Sequence, residues 1–252
     1  MFERLREAGF DVAARNHAEA ILAVDFPDEM RELVAALLEV RIPVAELVAS
    51  GGGEARSTQR LRRVLDAAGW GKHNFRIETT VDGVPLGDGT SHEIDHVRQG
   101  ENGRIALEIE WNNKDPFFDR DLENFQRLHA QSVISVGMIV TRGAALQAAM
   151  QELVAGFLTA AGIDDEEPLR AIGMKDRTAR QRESVRRAME AGQDFAPAFA
   201  RSFVADKFGM ATTHWNKLTD RVNRGVGNPC PLLLIGLPRG TVLPYSAATP
   251  EL

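Results

Sequence analysis

From Gly103 to Trp111 large apolar residues recur at every second position, and this run constrains the fold more than any other. Ile105, Leu107, Ile109 and Trp111 fall on one face of an extended strand, because successive side chains point to opposite sides. Ala106, Glu108 and Glu110 fall on the other. The period then changes. Asp115-Pro116 reads as a helix start, with the acid as cap and proline at the first helical position. Phe118, Leu122, Phe125 and Leu128 follow at helical spacing. Val133 to Val140 reads as a buried strand, and Ala144 to Ala161 as a long helix. That succession predicts an α/β fold, a mixed central β-sheet flanked by helices.

The flanking segments extend this core. Asp28 to Val40 places Met30, Leu33, Val34, Leu37 and Leu38 on one helical stripe, and Gly51-Gly52-Gly53 breaks the chain. Ser57 reads as the cap of a helix running to Ala68 and ended by Gly69. Phe75 to Val81 and Ser91 to Val97 alternate as strands, with a turn at Asp82-Gly83. Lys175 to Ala191 and Thr212 to Arg224 read as polar helices, and Leu232 to Leu237 as a late buried strand. No clean linker is visible, so one domain over 1–252 is expected. It has a core at about 70–162 and helical additions at about 163–252.

Composition narrows the class. No run of eighteen apolar residues is present, so no membrane partner is expected. The N-terminus carries acids and lacks the apolar core of a signal peptide. Cys230 stands alone, which excludes an internal disulfide and a cysteine metal cluster. A cytoplasmic setting is expected. The net charge of −6 disfavours a polyanion partner on the total alone, but only the binding face has to be positive.

Asp95 lies near the end of one alternating run, and Glu108 and Glu110 share a face of the next. Two readings fit these acids. They are the solvent-facing side of ordinary strands, or they converge on one sheet edge and hold a divalent cation. Close carboxylates repel without a countercharge, which argues for the cation. Magnesium takes a few carboxylates and completes its octahedron with water and phosphate oxygens.

The segment Glu93-Ile94-Asp95, followed by Ile105-Ala-Leu-Glu108-Ile-Glu110-Trp-Asn-Asn-Lys-Asp-Pro-Phe-Phe-Asp-Arg-Asp-Leu122, resembles the core of the PD-(D/E)xK nucleases. More narrowly it resembles type II restriction endonucleases of the BglII and BamHI kind. The likeness extends to Ile21–Ile42, Gly69-Trp70, Thr212-Thr213-His214-Trp215 and Pro229 to Pro238; residues 160 to 205 add nothing to it. The resemblance implies a restriction-endonuclease-like fold and Mg2+-dependent hydrolysis of both strands of a short palindromic duplex by a homodimer, with Mn2+ able to substitute. Asp95, Glu108 and the backbone carbonyl of Ile109 would ligate the metal. Glu110, where many members carry Lys and BglII-like ones Gln, would orient the water, and Glu78 is the candidate upstream acid. Asn112 and Asn113 would read base edges or simply form the turn, and Lys114 would contact a phosphate or solvent.

Arg142 sits where a strand passes into a helix, and guanine, a phosphate or solvent all suit it. Lys217, Arg221 and Arg224 share one helical face, which fits a phosphate backbone or an ordinary solvated helix. The basic run from Lys175 to Arg187 either grips phosphates or balances nearby acids. Two other functions fit the same residues. One is a structure-selective repair or recombination nuclease. The other is a non-catalytic DNA-binding protein whose carboxylates are only an exposed face.

Overall fold

The computed structural model describes residues 2–49, 54–85 and 89–246. The expected break at Gly51-Gly52-Gly53 lies outside them. A six-stranded mixed sheet forms the centre. Its strands in chain order are β1 (Asp11–Arg15), β2 (Gly71–Ile77), β3 (Thr90–Gly100), β4 (Gly103–Glu110), β5 (Val136–Arg142) and β6 (Leu232–Leu237). They lie side by side in the order β1-β6-β5-β4-β3-β2. The central trio β4, β5 and β6 is parallel, and the outer pairings are antiparallel. Parallel strands need covered faces. Accordingly every residue of β5 and β6 is buried.

The principal helices are α1 (Pro27–Leu38), α2 (Arg56–Ala67), α3 (Phe117–Ala130), α4 (Ala144–Ala160), α5 (Ala179–Glu190), α6 (Phe195–Lys207) and α7 (Trp215–Asn223). Two apolar cores result, one on each face of the sheet. On one side Ile105, Leu107, Val136, Met138 and Val140 pack with residues of α1, α4 and α6. On the other, Ala106, Ile139, Leu232 and Leu234 pack under α3 and α7. Phe118, Leu122, Phe125 and Leu128 of α3 are fully buried. Each contributes roughly 1.5–3 kcal/mol by leaving water. None of the helices among the described residues is long and apolar enough to cross a membrane.

Several boundaries differ from those expected. The helix assigned a Ser57 cap starts at Arg56 with Ala55 before it, and Ser57 is buried inside its first turn. Gly69, at φ +87°, does follow its end. Asp115 does not cap α3. Pro116 holds the cap position, and the Asp115 carboxylate pairs with Arg221 at 3.2 Å and Lys217 at 3.5 Å. A salt-bridged acid is unavailable to the backbone amides of the first turn. The expected strand from Phe75 to Val81 divides, so that Thr80–Val81 pairs with Val84–Pro85 across Asp82 and Gly83. Both turn residues take positive φ, as a tight hairpin requires.

β3 carries the irregularity that matters most to the site. Val97 lies opposite Gly71 and Ile94 opposite His73, so three steps along β3 match two along β2. Asp95 and His96 form the resulting bulge, and Ile94 and Val97 both pack toward the α3 core. A bulge re-aims side chains that strict alternation would send elsewhere.

α3 approaches the sheet closely because β5 offers no side chain at Gly137. A Cβ there would stand 2.5 Å from ring atoms of Phe125. Gly137→Ala is expected to destabilise the protein by about 1–3 kcal/mol through overpacking. The check is a melting temperature lowered by about 2–4 °C per kcal/mol. An unchanged melting temperature would mean that the helix shifts freely.

Candidate active site

Glu108 and Glu110 occupy the carboxyl end of β4, on the face that α3 covers, and each is only 3% exposed. Neighbouring β5 locks this end of the strand, since Thr141 Oγ1 donates to the Glu110 carbonyl at 2.8 Å. An open groove of about 730 Å³ runs over these acids and is also lined by Asp95, His96, Arg62 and Arg120. Asp95 is half exposed and reaches the groove from the bulge. The structure therefore brings Asp95, Glu108 and Glu110 to one groove, with Ile109 in its wall.

Asp121 of α3, which no motif or strand spacing marks as a site residue, joins them. It is fully buried, and its carboxyl meets that of Glu110 in hydrogen-bonding contact. Its Oδ1 accepts from Arg120 Nε at 2.8 Å and Nη2 at 2.7 Å, while among the described residues no donor reaches its Oδ2. Glu110 is further engaged by Asn113, whose Nδ2 donates to Oε2 at 2.6 Å, and by Arg120 Nη2, 3.5 Å from Oε1. Arg120 in turn lies 4.5 Å over the Phe117 ring.

Electrostatics follows from this crowding. Burial, then the charges of Asp121, Asp95 and Glu110, pushes the Glu108 carboxyl well above the usual range. Burial and Asp121 raise Glu110 to about 8. Burial raises Asp121 as well, against the pull of Arg120.

A hard divalent cation suits these residues. Their donors are carboxylate oxygens, they crowd one another, and a buried oxygen of Asp121 lacks a donor. Yet among the described residues no three Asp, Glu, His or Cys side chains gather closely enough to hold an ion unaided. The three acids expected to converge do share one groove, and Asn113, Arg120 and Asp121 engage the carboxyl of Glu110 there. Protein oxygens would supply only part of a metal shell, as is usual for magnesium.

The other candidates divide. Glu78 is exposed and pairs with Arg76 at 2.8 Å, outside the groove. Asn112, Asn113 and Lys114 form the loop leaving β4, and this loop is clamped to the chain before α7. The Asn113 amide donates to Thr213 Oγ1 at 3.0 Å, its carbonyl accepts from the Thr213 amide at 2.9 Å, and Lys114 bridges to Thr212. Asn113 and Lys114 are exposed.

Arg142, expected to face DNA, is fully buried. It donates to Asn112 Oδ1 and Thr212 Oγ1 at 2.7 Å and to Gln147 Oε1 at 3.0 Å, and it lies 5.0 Å over the Phe208 ring. With no carboxylate partner in this environment, burial lowers it to about 9. It braces the loop from beneath. Arg221 is also spent internally, on Asp119 at 2.9 Å and on Asp115, while Lys217 also pairs with Asp115. Arg224 is exposed and pairs with Asp220. The expected stripe is thus split, because its middle residue ties α7 to the start of α3. In the basic run, Arg177 is buried against Glu166, and Arg186 and Arg187 pair with Glu183 on α5. The reading in which this run balances nearby acids holds for these three. His214 is buried, both its ring nitrogens lack a partner among the described residues, and it is lowered to about 4 by burial, then by Arg142.

A mixed sheet with acids at the end of a central parallel strand, opening on a groove with arginines in its walls, is the architecture of a nuclease-type α/β enzyme. The family model described as restriction endonuclease BglII/BglIII matches residues 10–237. The chain belongs to that family, and it is a type II site-specific deoxyribonuclease whose substrate is DNA. Restriction endonucleases generally use a divalent metal. No curated protein matches the chain.

Between the unfolded and the folded pKa of a raised carboxyl, the folded protein binds more protons, so its stability falls as pH rises. For Glu110 that window runs from 4.5 to about 8. The metal-free protein is therefore expected to lose melting temperature across this window. Glu110→Gln should flatten the slope in scanning calorimetry with chelator. An identical slope in the variant would exclude Glu110 as the titrating group.

Proposed function

We propose that the chain cuts both strands of a short palindromic duplex in a Mg2+-dependent reaction, Mn2+ serving in its place, from the groove over Glu108. The observation that carries this reading is the dehydrated carboxyl pair at the end of β4, with Asp95 aimed at the same groove by the bulge. Asp95, Glu108 and the carbonyl of Ile109 would hold the cation, which when bound offsets phosphate charge and acidifies water. Glu110, in its ionised form, takes a proton from the attacking water. The water oxygen bonds to phosphorus as one P–O ester bond breaks, its electron pair leaves with the sugar oxygen, and solvent protonates that oxygen.

Lys114 is exposed to face DNA on the loop beside the groove, Asn113 is exposed there while its side chain donates to Glu110, and Asn112, held by Arg142, shapes that loop. We also propose that two copies act together, since a two-fold protein matches a two-fold site.

Plasmid DNA digested with magnesium should give discrete bands whose sequenced ends share one palindromic site. Glu108→Gln should slow this cleavage at least about a hundredfold, with binding retained. Uniform degradation or nicking confined to branched DNA would favour a structure-selective nuclease. Undiminished cleavage by Glu108→Gln would sink the site assignment.

A further inference from the structure

Asp95, Glu108 and Glu110 line the groove with Asp121 packed behind them, and among the described residues two cations form ion pairs with this group. Lys72, on the edge strand β2, stands 3.8 Å from Asp95, but its nearer partner is Glu93 at 2.7 Å, and its side chain is exposed. Arg120 is held differently. Nε and Nη2 are fixed on Asp121 Oδ1, Nη2 faces Glu110, and the guanidinium plane rests over Phe117. Nη1 has no hydrogen-bond partner among the described residues, and the side chain is 53% exposed toward the groove.

This arrangement has a consequence for a polyanionic substrate. β4 brings only carboxyls to its end, so a phosphate entering the groove needs a positive group from elsewhere. An arginine is well matched to phosphate oxygens, and one already immobilised loses little further side-chain freedom on contact. Asp121 explains the immobilisation. It is a buried acid that spends one oxygen wholly on Arg120.

We propose that Arg120 is a catalytic residue that contacts the phosphate being cut, and that Asp121 is the positioning residue that holds it there. The proposal rests on the nuclease reading above. As the P–O bond breaks, charge accumulates on the non-bridging oxygens, and the free side of the guanidinium donates to them from a fixed position.

The test uses the full chain, in chelator, with a duplex carrying the mapped cut site. A second duplex has a neutral methylphosphonate at the cut linkage. Arg120→Gln is expected to weaken binding of the natural duplex on the order of tenfold and to lower the slope of log K against log salt by about 1. On the methylphosphonate duplex, the wild-type and variant proteins should bind alike. Arg120→Lys should regain part of the loss, since it keeps the charge without the fork. An equal loss on both duplexes would put the guanidinium on another phosphate and overturn the proposal. So would equal binding of the natural duplex by both proteins. If melting curves show that Arg120→Gln fails to fold, Arg120→Lys carries the same comparison on the two duplexes, with a smaller expected difference. Failure of the binding comparison leaves the digest result standing, whereas a digest without discrete bands overturns both readings.

Discussion

Carboxyl groups carried beneath a helix lose their water, and each must find a cation, a proton or a donor in its place. That requirement organises the end of β4. α3 is pressed onto the sheet by four fully buried apolar side chains and by the missing side chain at Gly137. Its docking dehydrates Glu108 and Glu110 and adds Asp121 to them. The packing that stabilises the domain therefore stores electrostatic repulsion at the groove. Arg120 and Asn113 relieve it only in part.

Much of the architecture was legible because its signals are periodic. The β4 alternation, the α3 stripe and the apolar run of β6 each specify an element by spacing alone, and β6 begins and ends where its sequence predicts. The candidate acids on β4 were legible for the same reason. Asp95 was placed with them on an assumption of regular strands, whereas it reaches the groove through a bulge, a departure from period that two residues cannot announce. Asp121 did leave a trace. Positions 118, 121, 122 and 125 follow the i, i+3, i+4, i+7 spacing of a buried face, and an acid within such a stripe marks a charge held out of water. Arg120, its neighbour, becomes meaningful only once that acid is known to be buried.

The basic residues were harder to read because charge and location are independent in sequence. Arg142, Arg177 and Arg221 look like surface cations, yet each is buried and satisfied within the fold. Guanidinium groups suit such duty, with several fixed donors and weak hydration. Subtracting them leaves fewer positive groups available to DNA than the composition suggests. This fits a chain with a net charge of −6, whose groove sets Arg62, Arg120 and Arg127 among a larger number of acids.

The brace under the Asn112–Lys114 loop bears on how such an enzyme changes its preferences. Arg142 joins Asn112 to Thr212, and Thr213 is bonded to Asn113 on both sides of its peptide. Two segments a hundred residues apart thus behave as one rigid jaw. Substituting an exposed side chain such as Lys114 leaves that jaw intact, but altering its shape requires coordinated replacement in both segments and in the strand between them. Divergence in sequence preference should then proceed by exchange of exposed side chains, with the scaffold beneath inherited unchanged.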